Sequence, residues 1–258
     1  YRMDDGRLVL TSSGAPGSQA NRVGSAEAVS VYLQDEVRIG AWTLTPGLRY
    51  ESIDFARRDY AGDDPDRSEG TTRVRRTSVD QWIPGMGVLY AVNPELSLLA
   101  SVHKGFNPPG PGSEADAEES VNYEVGARFA GERFSGEAIV YFNDYDNLVG
   151  TCTLSSGGGC SVGDQFDGGE VEMYGLELAG TTEIDLGGAL TMPLRASYTY
   201  SSAEFQNAFA SDFEEWGTVE QGDELPYLPE HQLQLGAGIA GSRWRADLTG
   251  TFVGEMRV

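Results

Sequence analysis

The segment from Arg57 to Arg76 gathers six of the chain's 18 basic residues: Arg57, Arg58, Arg67, Arg73, Arg75 and Arg76. A guanidinium group stays charged at any working pH and grips a carboxylate or phosphate through two parallel N–H bonds. Such a cluster could hold an anionic ligand. Five acids, Asp59, Asp63, Asp64, Asp66 and Glu69, run through the same segment, so the arginines could equally pair within it.

Other candidate chemistry is thinner. Eight acids and no Lys or Arg lie between Glu204 and Glu230, an oxygen-rich run that reads as a solvated loop before it reads as a calcium site. Asp63 to Gly70 (DDPDRSEG) lacks the glutamate that closes a calcium loop. His103 and His231 are the only histidines. Neither sits in a recognisable nucleophile–base set, so both read as lumen or rim residues. Pro84 to Gly87 (PGMG) is followed by alternating residues and not by a helix, which a phosphate-binding glycine loop requires. No enzyme, resident metal or cofactor is expected.

The two cysteines, Cys152 and Cys160, enclose a Ser/Gly-rich stretch without a nearby histidine. Two thiolates fall short of a four-ligand zinc site, so a disulfide is the expected pairing. It would stabilise the loop by about 2–3 kcal/mol in the chain-entropy picture, and it implies an oxidising compartment.

Charge narrows the partners. Forty acids against 18 bases give a formal charge of −22 over 258 residues, which excludes a nucleic-acid partner. Hydrophobic residues at 40% and aromatics at 10% exclude a disordered acidic tail. The densest apolar run, Leu96 to Val102, is too short for a spanning helix. The chain starts at Tyr1 without a signal segment, so its natural beginning is expected to have been removed.

The elements that must position these residues show period two. Trp42, Leu44, Leu48 and Tyr50 share one face of a strand whose other face carries Thr43, Thr45, Arg49 and Glu51. The same split recurs over 120–129, 190–201, 232–239 and 244–252. Less regular strands are expected over 28–39, 82–92, 96–106, 134–143 and 171–181, which makes ten. Short Gly- or Asn-containing turns alternate with long polar segments at about 56–77, 107–119, 145–169 and 203–230. A membrane barrel has short turns at one rim and long loops at the other. Aromatics beside the short turns, Trp42, Tyr90, Phe129, Phe134 and Trp244, suit an interfacial girdle. Charges on the opposite face, among them Arg49, Glu51, Glu124, Arg128, Glu137, Arg195, Arg245 and Asp247, need a wet interior. Alternation with glycine-rich turns also describes a secreted β-sandwich, which stays open at this point.

Several segments resemble the barrel of TonB-dependent outer-membrane receptors, particularly the ferric-citrate and siderophore branch. They are 32–36 (YLQDE) with 44–51 (LTPGLRYE), 98–109 (LLASVHKGFNPP) with 119–128 (ESVNYEVGAR), 141–149 (YFNDYDNLV), 170–178 (EVEMYGLEL) and 225–235 (LPYLPEHQLQL). The resemblance implies an all-β transmembrane antiparallel barrel, of which residues 1–258 would supply about ten consecutive strands of 22 as an open sheet. The plug, the TonB-gripping motif and the terminal strands of such receptors find no counterpart here. It further implies transport of a ferric chelate across the outer membrane of a Gram-negative bacterium, with TonB engaged through the missing plug. The six arginines would then bind chelate on an outward loop, or lipopolysaccharide phosphates, and the wall would face outer-membrane lipid. A passive channel with its own closed barrel is the alternative within the membrane. The isolated chain is expected neither to transport nor to bind TonB.

Overall fold

The computed structural model describes residues 2–4, 7–9, 20–152, 165–210 and 217–257. Ten strands form one antiparallel sheet in which every neighbour in space is a neighbour in sequence. They are β1 (Arg22–Gln34), β2 (Trp42–Tyr60), β3 (Thr71–Ala91), β4 (Leu96–Asn107), β5 (Glu118–Ala130), β6 (Phe134–Tyr145), β7 (Val171–Gly187), β8 (Leu190–Phe205), β9 (His231–Ala240) and β10 (Arg245–Val253). A short strand, Val37–Ile39, continues β1 along β2 after a break at Asp35 and Glu36. Among the described residues no strand covers the outer edges of β1 and β10, so the sheet is open.

Short connections join β1 to β2, β3 to β4, β5 to β6, β7 to β8 and β9 to β10, while the connections between those pairs are long. The two rims therefore differ as the sequence implied. At the tightest one, Gly187 and Gly188 take φ of +91° and +67°, left-handed values that glycine enters without steric cost.

The outward face is apolar and uncovered. Val125 (58% exposed) stands opposite Val140, and Leu248 is 77% exposed. Trp42 and Tyr90 lie opposite one another beside the short turns with ring centroids 4.6 Å apart, and Phe129 and Phe134 stack at 6.0 Å. Near the long-loop rim Tyr50 and Trp82 form a matching pair at 4.7 Å. The inward face is charged and self-paired. Arg128 meets Glu137 at 3.1 Å, while Asp247 takes Arg245 at 2.7 Å and Arg195 at 3.6 Å.

The main cluster of buried apolar residues lies on the inward side and away from the outward stripes. Val171, Ala203, Phe205 and Val219 cluster at the long-loop end of β7 and β8, where Leu225 and Leu228 of the following loop pack onto them. A sandwich would bury its Leu and Val stripes sheet against sheet, whereas here those stripes are exposed and the dry contacts are made by loops folding over the inward face. The sandwich reading is thereby overturned.

One expectation needs correction. The polar segment 56–77 is for the most part strand: β2 runs to Tyr60, β3 starts at Thr71, and only residues 61–70 connect them. Its charges had suggested a solvated loop, but alternation continues through them. Ile53 and Phe55, both 8% exposed, are buried on the inward side of this extension.

The outward position of Val125 is testable. Val125→Arg places a charge in the apolar band and is expected to cost about 2–4 kcal/mol, whereas Gln234→Arg on the inward face leaves stability nearly unchanged. Chemical unfolding of the intact protein in lipid measures both.

Candidate functional site

Directly opposed residues in an antiparallel ladder project to the same side of the sheet. Gly24, Arg57 and Arg75 form one such row across β1, β2 and β3, and Arg22, Asp59 and Arg73 form the next. Both rows share the parity of Ile53 and Phe55, so Arg22, Arg57, Arg73 and Arg75 face inward. Arg58 and Arg76 have the parity of Tyr50 and Trp82 and face outward. The six arginines predicted to act together are thus divided by the strand period that the expected loop had concealed.

The inward arginines line a recess of about 650 Å³. Its far wall is the connection between β4 and β5, from Gly110 to Glu114, with Gln165 and Thr151 of the β6–β7 connection beside it. Arg57 Nε donates to Asp59 Oδ1 at 2.7 Å. Arg73 lies 3.5 Å from Glu114 Oε1. Arg75 Nη1 donates to the carbonyl of Gly112 at 3.1 Å, while its Nε is buried without a hydrogen-bond partner. Among the described residues the lining of the recess carries four arginines and one carboxylate, Glu114, with Asp59 paired to Arg57 beside it.

The covering loop is held in place by defined contacts. The N–H of Gly110 donates to Gln165 Oε1, and the N–H of Asp116 donates to Asp167 Oδ1 at 3.0 Å. Asn147 Nδ2 reaches the same carboxylate oxygen at 2.9 Å. Asp167 and Gln165 belong to a small strand pair, Val149–Thr151 with Gln165–Asp167. Gly112 has φ of +76° and lies so close to Arg57 that a Cβ would come within 2.6 Å of that side chain's own Cβ. Only glycine permits this approach.

Arg67 has a structural task. It sits in the 61–70 turn with φ of +62°, donates from Nε to Asn21 Oδ1 at 3.0 Å, and lies 5.1 Å over the Tyr60 ring. Asp64, only 3% exposed, accepts the N–H groups of Ser68 and Glu69 at 2.9 and 3.0 Å. Burial pushes its pKa up, but the bonds from Glu69, Asp66 and Ser68 outweigh this and hold the carboxyl below its ordinary value.

Arg22, Gln165 and Thr151 were not anticipated as site residues. Arg22 was legible in principle, because counting back from the turn at Gly40 along the β1–β2 ladder brings it opposite Asp59. Gln165 carries no such signal, since its place depends on how two loops meet. His103 faces inward opposite Gly85. His231 accepts or donates a 2.9 Å bond with the Tyr198 hydroxyl and stacks near Tyr198 and Tyr200 at the long-loop rim. Among the described residues no group of three or more His, Cys, Asp or Glu could hold a metal ion. Cys152 is almost completely buried, at 2% exposed, and Cys160 lies outside the described residues.

Comparisons agree with this wall-and-loop arrangement. The chain matches the TonB dependent receptor-like β-barrel family over residues 1–257. It is 28% identical over 221 residues to the metal-pseudopaline receptor CntO of Pseudomonas aeruginosa, covering 81% of this chain and 28% of that protein. The unliganded ferric citrate transporter FecA superposes with a TM-score of 0.66 at 22% identity, over 90% of this chain and 33% of FecA. The siderophore receptor PiuA from Acinetobacter baumannii gives 0.68 at 17% identity, over 90% of this chain and 34% of PiuA. The chain therefore spans about a third or less of the length of these relatives.

Two outcomes follow from the geometry. Gly112→Ala forces the covering loop off Arg57, and hydrogen exchange over residues 107–117 is expected to accelerate while the strands keep their protection. Asp64 has a folded pKa below its unfolded value of about 3.9. Its contribution is complete above that value and is lost as pH falls through the folded pKa. The 61–70 turn should therefore exchange faster only under acid conditions, and Asp64→Asn should remove that dependence.

Proposed function

Starting from a chain that belongs to the TonB-dependent receptor-like β-barrel family, and so to the outer membrane of a Gram-negative bacterium, we propose that it forms part of the wall and outward loops of a receptor that takes up a metal chelate. The observation that carries the reading is the inward recess of Arg22, Arg57, Arg73 and Arg75 at the long-loop rim. A neutral solute would gain less from four guanidinium groups than an anionic one. A chelate with free carboxylate arms would gain from them, because each fork can take a carboxylate through two bonds. The buried Nε of Arg75 leaves a donor unspent beside the recess.

The ligand class we favour is an anionic ferric chelate, with ferric citrate as the leading candidate and a carboxylate-bearing siderophore as the other. FecA is named for ferric citrate, PiuA for a siderophore and CntO for metal–pseudopaline. Those names supply the general class, and the arginine recess supports its anionic members. No covalent step is involved: the chelate arrives with its metal already coordinated, and the protein selects by charge and shape.

The same proposal assigns residues 1–258 to a partial barrel domain. In the intact receptor a plug and TonB would supply gating and energy, and lipid would cover the apolar stripes. A Cys152–Cys160 disulfide belongs to this reading as well, since Thr151 lines the recess and a closed ring beside it would limit that loop's freedom. Non-reducing peptide mapping of the intact receptor would show the linked pair.

Replacing Arg73 and Arg75 together by alanine in the full-length receptor removes two inward forks without touching the outward ones. Charge-assisted hydrogen bonds contribute about 1.5–3 kcal/mol each, so ferric citrate affinity is expected to fall tenfold or more by isothermal titration. Unchanged affinity would sink the recess as the chelate site.

A further inference from the structure

The inward arginines hold their partners with unequal strength. Arg57 is paired at 2.7 Å with Asp59 of its own strand, and both side chains are largely buried, at 13% and 19% exposed. Arg75 donates to a backbone carbonyl, that of Gly112. Arg73 reaches Glu114 of the covering loop across 3.5 Å, with the two side chains 57% and 81% exposed. Ion pairs open to water contribute little, because both partners exchange with solvent at small cost. Glu114 is also the one carboxylate in the lining of the recess among the described residues.

The covering loop does not depend on this pair. Its backbone is fixed at Gly110 by Gln165, at Gly112 by Arg75 and at Asp116 by Asp167. Inside the loop the N–H of Ser113 donates to the carbonyl of Gly110 at 3.0 Å, and Ala115, next to Glu114, is buried. Glu114 is thus carried at a set place beside the recess, with a carboxylate free of the loop's anchoring. We propose that Glu114 is an internal competitor for the ligand: in the empty recess it occupies the Arg73 fork, and a carboxylate of the incoming chelate must displace it. This rests on the recess being the chelate site. The exchange is like for like, one charge-assisted pair broken and one formed, so Arg73 adds little net affinity for the arm that replaces Glu114. A chelate with further carboxylate arms gains at the other arginines. A simple monocarboxylate has nothing else to offer, and Glu114 keeps it out. Specificity is built here by a contact that opposes binding as well as by those that favour it.

The experiment is a double-mutant cycle on the full-length receptor, with ferric citrate affinity read by isothermal titration. Glu114→Gln removes the competing charge and is expected to bind ferric citrate about two- to fivefold more tightly than wild type, the factor that corresponds to one exposed ion pair. In an Arg73→Ala background the same substitution should change nothing, because the fork it competes for is gone. Hydrogen exchange over residues 107–117 should be the same in Glu114→Gln and wild type. Equal or weaker binding by Glu114→Gln overturns the proposal. So does tightening that persists without Arg73, which would mean repulsion through space, and so does faster exchange of the loop, which would make Glu114 an anchor. The Arg73→Ala/Arg75→Ala variant separates the two readings. If it binds as wild type does, the chelate site fails and the competitor falls with it; if it binds weakly while Glu114→Gln shows no gain, the competitor alone is wrong.

Discussion

A backbone amide in hydrocarbon has no water to turn to, so each strand that crosses lipid must find its hydrogen bonds in the next strand. That constraint explains why the wall is a continuous ladder from β1 to β10 with only sequential neighbours. A barrel wall in an outer membrane has lipid on one side and water on the other, and here the strand period of two separates oily from charged residues. The apolar stripes are exposed on the outward face, as the lipid-facing side of such a wall requires. The same constraint bears on the outer edges of β1 and β10, which no strand pairs among the described residues. The match to about a third of longer receptors is consistent with such open edges.

The period of two also organises function. It sends Arg57 and Arg75 to one solvent environment and Arg58 and Arg76 to another, although the four are close in sequence and paired in register. A helix or an irregular loop would not divide them so sharply. The β2–β3 hairpin extends this division above the membrane, where the inward side is covered by a neighbouring loop and the outward side stays open. Electrostatics then differ on the two sides. Inward, four arginines line a restricted space with Glu114 among the described residues. Outward, Arg58 and Arg76 share an open depression with Glu27 and Asp54, where solvent and salt screen every charge.

How far the sequence could lead depended on the range of the interaction concerned. Strand identity rests on local alternation, and all ten strands were visible in that pattern, including the irregular stretch around Leu96 to Phe106. The alternation of short and long connections was equally local. Strand ends were less legible, because charge in Arg57, Arg58, Arg73, Arg75 and Arg76 resembles a solvated loop until the ladder is known. The cluster itself was visible by composition, but its division into two faces required the register. The contribution of Arg22 also required register, and that of Gln165 required the tertiary meeting of two loops. Such contacts are set by long-range packing, which leaves no periodic trace in the chain.

The recess gathers arginines in a chain that is otherwise strongly acidic. A net charge of −22 discourages anions from approaching at random, so an anionic ligand of the kind proposed would need a local reversal of sign to bind. The inward arginines would provide that reversal at the long-loop rim, and the buried Nε of Arg75 has no hydrogen-bond partner among the described residues. Gly112 lets the covering loop approach closely enough to form the far wall, while the loop's own bonds to Gln165 and Asp167 keep it there. Preorganisation of this kind lowers the ordering cost of binding. Because the arginines are on strands of the wall and the covering loop is clamped by side chains, the charges are already in place when the ligand comes. An anion that enters therefore meets donors held by the same ladder that the membrane demands.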